Sequence, residues 1–222
     1  MKVVIMMKEI NVEQWNRKKI YDWFKNFSNT CWSITKEIEV SDIVKYSKES
    51  KSSFFINFLY VLVKTLNGFE CTRMRYVNGK PVIYDSANPA YTVAKEDGTY
   101  DNLRHAYIEN YNEFYSLAHE KIEKVKNGLV ETEDYNPENC YDEYYITCLP
   151  WTTFSNVNQP LPDDKGSQSI PRICWGQYFE KDDKIFMDFN ITVSHMFCDG
   201  RDVSMFLIKL QENLNNIEDI IK

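Results

Sequence analysis

The chain has 222 residues, of which 43% are hydrophobic, 27% charged and 15% aromatic, with 15 Tyr and 13 Phe. These proportions describe an ordinary globular protein with one substantial core and exclude a disordered chain. A formal charge of −7 leaves no basic field for phosphates, which argues against nucleic acid and anionic membranes as partners.

At the N-terminus, the apolar run between Lys2 and Lys8 is too short for a signal peptide, and no window reaches the ~18 apolar residues of a membrane span. The expectation is a soluble, unexported, cytoplasmic protein. Residues 14–27 place Trp15, Ile20, Trp23, Phe24 and Phe27 at mixed three- and four-residue spacings, which predicts an amphipathic helix. Thr30 to Val40 alternates loosely and gives way to Ser41-Asp42, a cap for a short helix through Tyr46. A strongly apolar helix is predicted from Ser53 to Asn67, stopped at Asn67-Gly68.

Residues 73–93 read as a hairpin turning at Asn78-Gly79, with Tyr91 to Val93 opening another strand. From Asp101 to Val130 an Ile108, Tyr111, Phe114, Tyr115, Leu117, Ala118, Ile122, Val125 pattern predicts one long helix. Residues 134–143 and 156–169 read as loops. Tyr144 to Leu149 and Ile173 to Tyr178 are predicted strands. Lys184 to His195 alternates, with Ile185, Met187, Phe189, Ile191, Val193 and His195 on one face and Phe186, Asp188, Asn190, Thr192 and Ser194 on the other. A helix carrying Val203, Phe206, Leu207, Leu210 and Leu214 follows Asp199-Gly200. The six cysteines, at 31, 71, 140, 148, 174 and 198, contain no C-x-x-C pair, so neither disulfides nor a zinc or other metal site is expected.

The string with most chemical content is Ser194-His195-Met196-Phe197-Cys198-Asp199-Gly200. It stands between the alternating strand and the last helix. A histidine at a strand end faces whatever cleft the following turn opens, and imidazole suits proton transfer near neutrality. By position alone a single histidine on an apolar face is more often a core residue, and Asp199 is most simply a helix cap.

H-x-x-x-D-G ahead of a C-terminal amphipathic helix resembles the active-site signature of the chloramphenicol acetyltransferases, shared with the acyltransferase domains of 2-oxo-acid dehydrogenase complexes. Further matches favour the first. Trp15-Asn16-Arg17-Lys18 resembles that family's W-x-R-K. Arg73-Met74, then Val82-Ile83-Tyr84-Asp85-Ser86 and Pro89-Ala90-Tyr91-Thr92-Val93, resembles R-M…W-D-S…P-x-Y-T-V. Ile146-Thr147-Cys148-Leu149-Pro150-Trp151 is similar to the strand ending in S-A-x-P-W.

The resemblance implies one domain over residues 1–222: a two-layer α/β sandwich of mixed β-sheet with helices on one face, assembled as a homotrimer with active sites between subunits. It implies acetyl-CoA as a co-substrate, no tightly bound cofactor, and transfer of acetyl to the primary hydroxyl of chloramphenicol. His195 would be the general base, Thr147 the oxyanion donor in place of the family's serine, and Asp199 with Arg17 a structural ion pair. Phe24, Trp32 and Tyr100 would line the acceptor pocket, and Trp151 and Tyr178 would contact the coenzyme. Ser194, Lys19, Trp32 and Cys174-Trp175-Gly176-Gln177 depart from the family pattern. Those changes alter the pocket lining, so a different hydroxylated acceptor stays open, as does a non-catalytic ligand-binding trimer.

Overall fold

The computed structural model describes residues 6–129 and 141–222. The loop expected at 134–143 therefore falls largely outside the described residues, as does Cys140. The elements in chain order are β1 (Met7–Glu9), a 3-10 turn (Val12–Gln14), α1 (Lys18–Phe24), β2 (Cys31–Glu39), α2 (Ser41–Glu49), α3 (Phe54–Asn67), α4 (Glu70–Arg73), β3 (Met74–Val77), β4 (Lys80–Tyr84), β5 (Asn88–Ala94) and β6 (Tyr100–Arg104). They continue with α5 (Tyr111–Lys126), β7 (Glu143–Leu149), α6 (Lys165–Gln168), β8 (Arg172–Lys181), β9 (Lys184–Ser194), α7 (Gly200–Asn215) and α8 (Ile217–Ile220).

Six strands form one mixed sheet in the order β2-β9-β8-β7-β5-β6, parallel only at β5/β7 and β7/β8. Helices pack on the face that carries Tyr91, Trp175 and Phe189. Phe58 of α3 meets Trp175 edge-on with centroids 4.9 Å apart, Phe55 meets both Trp175 and Tyr91, and Phe206 of α7 meets Phe189. The fold is thus the expected α/β sandwich. Burying these rings supplies much of the drive for the layer packing, at ~25 cal/mol per Å² of apolar surface removed from water.

Several expected elements need correction. The first helix is shorter than the aromatic spacing suggested: Trp15 precedes it, and Arg17 stands at its N-cap. Ser41 does not cap α2, because its hydroxyl accepts the Ile185 backbone N–H at 2.9 Å and Val40 is the cap residue. Residues 101–104 are strand β6, paired antiparallel with β5 from Ala90↔Arg104 to Ala94↔Tyr100. The long helix begins only at Tyr111, where Asn110 caps it. Pairing with β5 overrides local preference there, as tertiary context commonly does for short segments.

The Asn78-Gly79 turn is present, with φ of 49° and 80°, the left-handed pair that a two-residue primed turn requires. A separate three-stranded sheet, β1-β4-β3, is built on that hairpin; β1 carries no period or turn residue that would mark it beforehand. Among the described residues no helix is long and apolar enough to cross a membrane.

His105, at the end of β6, is 4% exposed and lies edge-on to Tyr91 and Phe114. Its Nδ1 lies 3.0 Å from the Ala106 carbonyl, while Nε2 has no partner among the described residues. Burial pushes its pKa down from 6.5 to about 4, only partly offset by that carbonyl; Lys121 adds to the depression. The unfolded chain therefore takes up the proton first as pH falls. His105 should cost about 3 kcal/mol of stability between its ordinary pKa and its folded one. Glu143, pushed up to about 7 by burial, works in the opposite direction and is common to wild type and variant. Denaturant unfolding at pH 7 and pH 4 should show that His105→Phe lacks this acid-dependent loss; an unchanged pH dependence would refute the assignment.

Candidate active site

Strand β9 pairs with β2 from Cys31↔Ser194 to Glu39↔Phe186 and with β8 on its other side. Met187, Phe189, Ile191 and Val193 face the helices. Asp188, Asn190, Thr192 and Ser194 face the opposite side and are 7% exposed or less, so this polar face is covered and not solvated. The Asp188 carboxylate accepts the backbone N–H of Phe154, and Thr35 Oγ1 donates to Asn156, so the 151–169 segment lies over that side.

His195 is the first residue beyond β9. Its N–H donates to the Thr30 carbonyl at 2.7 Å, the last backbone-to-backbone bond between the two chain segments. The imidazole is half-buried, stacked on Phe24 with centroids 4.0 Å apart and planes 13° apart, and tilted against Trp32 at 5.5 Å. Nδ1 is buried and has no hydrogen-bond partner among the described residues. The ring is therefore fixed by aromatic packing on one face and by the backbone behind it.

The turn after His195 is tight. Phe197 and Cys198 both donate backbone N–H groups to the Ser194 carbonyl at 3.0 Å. Phe197 anchors it from inside, packed with Trp15 and Tyr21. The Trp32 indole Nε1 donates to the Cys198 carbonyl at 3.0 Å, a bond that phenylalanine in its place could not make.

Asp199 caps α7, and Arg17 Nη1 reaches its Oδ2 at 3.1 Å. Burial opposes the charged carboxylate, yet the Asp202 N–H and the Arg17 guanidinium outweigh it and hold the Asp199 pKa below the ordinary aspartate value. Arg17 Nη1 also reaches Asp202 Oδ2, at 2.8 Å. Sequence reasoning missed Asp202; the D-x-x-D spacing of a capping box was its only signal.

Gln168 was missed as well. Buried at 2% exposure, it accepts from the Thr30 N–H and hydroxyl and donates to the carbonyls of Ser28 and Pro162. Ser194 shares a 2.9 Å hydrogen bond with the Thr30 hydroxyl. Together they secure the start of β2 beside the imidazole.

Within one chain the remaining expected residues stand apart. Thr147 lies opposite Cys174, which lies opposite Asn190, five residues before His195. Two strand spacings and that rise put Thr147 and His195 roughly 19 Å apart. Thr147 is half-buried on the side away from the helices. Tyr100 is on the edge strand β6, at the opposite end of the sheet from β2, and is 64% exposed. Trp151, just past β7, is 74% exposed, and Tyr178 is 42% exposed with its ring 5.4 Å from Phe54. One chain thus groups His195, Phe24, Trp32, Arg17 and Asp199, but not Thr147 or Tyr100.

Known proteins resemble this chain over nearly its whole length. The family model described as chloramphenicol acetyltransferase matches residues 5–211. A chloramphenicol acetyltransferase of Clostridium perfringens is 29% identical over 214 residues, covering 94% of this chain and 95% of the relative. One from Clostridium butyricum is 28% identical over 206 residues, covering 91% and 92%. A solved chloramphenicol acetyltransferase structure superposes with a TM-score of 0.85 at 24% identity, covering 94% of this chain and 100% of the other. With a family match over nearly its whole length and the fold in agreement, the chain belongs to the chloramphenicol acetyltransferase family of acyltransferase enzymes.

Proposed function

We propose that this protein transfers acetyl from acetyl-CoA to the primary hydroxyl of chloramphenicol, inactivating the antibiotic in the cytosol, at sites formed between the subunits of a homotrimer. The observation that carries this reading is the split described above. His195 is rigidly held just past the end of β9, beside the edge strand β2, and the alcohol side chain expected to complement it stands roughly 19 Å away in the same chain. A second copy presenting its β7 to the His195 edge would bring an imidazole and a Thr147 hydroxyl to one carbonyl.

In that site His195 Nε2 takes the proton of the acceptor hydroxyl as its oxygen attacks the thioester carbonyl. Negative charge moves to the carbonyl oxygen, where the neighbour's Thr147 hydroxyl donates a hydrogen bond. Collapse breaks the carbon–sulfur bond, and the CoA thiolate recovers the proton from the imidazolium. No acyl-enzyme forms, and the products are the acetyl ester and free CoA. A positioned base supplies ~10²–10⁴-fold, and holding both substrates supplies the orientation term. Phe24 and Trp32 form one wall of the acceptor pocket, and the neighbour's Tyr100 completes it. The exposed rings of Trp151 and Tyr178 are the coenzyme contacts. Acetyl-CoA binds and leaves as a co-substrate.

The Trp32 indole, larger than the phenylalanine usual at this point of the family pattern that the sequence resembles and tied to Cys198, supports a second reading in which a narrower pocket takes a different small alcohol. Purified protein with acetyl-CoA, chloramphenicol and a thiol reagent distinguishes the readings. Drug-dependent thiol release is the expected result. Slow release without the drug points to another acceptor, and no turnover with any alcohol would sink the enzymatic reading in favour of a ligand-binding trimer.

A further inference from the structure

Arg17 is held at the N-cap of α1, and its Nη1 bridges two carboxylates: Asp199 Oδ2 at 3.1 Å and Asp202 Oδ2 at 2.8 Å. The two aspartates divide their oxygens differently. Asp199 spends Oδ1 on the helix, accepting the N–H groups of Arg201 and Asp202, and only Oδ2 faces Arg17. Asp202 Oδ2 accepts both Arg17 Nη1 and, at 2.9 Å, the backbone N–H of Asp199. A single oxygen of Asp202 therefore fixes the guanidinium and the main chain four residues beyond His195.

All three side chains are largely shielded, at 17%, 29% and 22% exposure for Arg17, Asp199 and Asp202. One cation against two carboxylates leaves a residual negative charge, which the N-terminal end of the sixteen-residue helix α7 is suited to accept. The bond to Asp202 is the shorter of the two and the better shielded.

We propose that Asp202 is a positioning residue for His195, sharing with Asp199 the anchoring of the catalytic turn to Arg17, so that either carboxylate alone keeps the turn in place. This rests on His195 being the catalytic base. Charge is the variable to test, and asparagine removes it while keeping an acceptor for the helix cap. Asp199→Asn and Asp202→Asn should each keep kcat within about fivefold of wild type, whereas the double variant should lose about 10²-fold in kcat with acetyl-CoA KM within about twofold, a strongly non-additive pair.

A full loss from Asp199→Asn alone, or no effect of Asp202→Asn in either background, would overturn the shared anchor. The nitrogen-15 spectrum of the His195 ring provides a readout free of substrate. It should stay single and unshifted in the single variants and shift or broaden in the double one. If wild type fails to acetylate, the kinetic reading of function fails, but the ring spectrum still decides: an unperturbed ring in the double variant overturns the proposal. If the double variant does not fold, Asp202→Glu in the Asp199→Asn background replaces it. That protein keeps one carboxylate, at position 202, and a ring spectrum like that of wild type is expected; a displaced ring overturns the shared role.

Discussion

His195→Ala should lower the rate of acetyl transfer by about 10³–10⁴-fold, at the upper end of what a positioned general base supplies, while leaving the unfolding midpoint near that of wild type. The reason lies in how the ring is held. Its backbone N–H, which donates to Thr30, is retained by alanine, and the turn beyond is secured by Phe197, Trp32 and the Arg17 carboxylate pair. Alanine loses the stacking contact with Phe24, worth about 1 kcal/mol. A large loss of kcat with a small loss of stability is the signature to be measured, by steady-state thiol release and thermal unfolding on the same preparation. A variant that retained more than about a tenth of the activity would rule the imidazole out as the base, because even a modest general base contributes ~10².

Mixing two inactive variants should restore activity. In the proposed homotrimer, His195→Ala removes the base and Thr147→Val removes the oxyanion donor, a loss of about 10²–10³-fold for one such hydrogen bond. If each site takes His195 from one subunit and Thr147 from the next, co-refolded random trimers carry about a quarter of their sites intact, because each wild-type residue is present with even odds. Activity should therefore rise from near zero to about a quarter of wild type after co-refolding, and not after simple mixing of folded trimers. If both residues acted within one chain, no intact site could form and recovery would be absent. The separation of the two residues in the single chain, two strands across and five residues along the sheet, makes recovery the expected outcome.

Much of the fold was legible because its elements are long and locally consistent. The helix Phe54–Asn67, the hairpin at Asn78-Gly79 and strand Lys184–Ser194 each carry a hydrophobic period or turn chemistry that fixes their type. Elements decided by distant partners were not legible. Tyr100–Arg104 is polar apart from Tyr100 and Leu103, and becomes a strand only because β5 offers it a free edge. Met7–Glu9 joins the hairpin sheet by pairing with residues some seventy-five positions later. Ser41, a plausible cap by residue type, was claimed by Ile185 from across the fold.

The same division holds at the site. The likeness of the string from Ser194 to Gly200 to a known family singled out His195 and Asp199, and the matches around Trp15 and Ile146 supplied Arg17 and Thr147 as partners. The sequence by itself also determined the type of the long elements, because alternation in β9 marks a strand and the helical periods of α3 and α7 mark helices, while the α/β sandwich they build was what the family resemblance implied. Only the tertiary structure decided what holds His195: a stack on Phe24, an indole bond from Trp32, and a guanidinium shared between Asp199 and Asp202. Hydrophobic period is written in neighbouring residues, whereas these contacts join segments up to 185 positions apart and exist only once the sheet and the helix layer have closed around them.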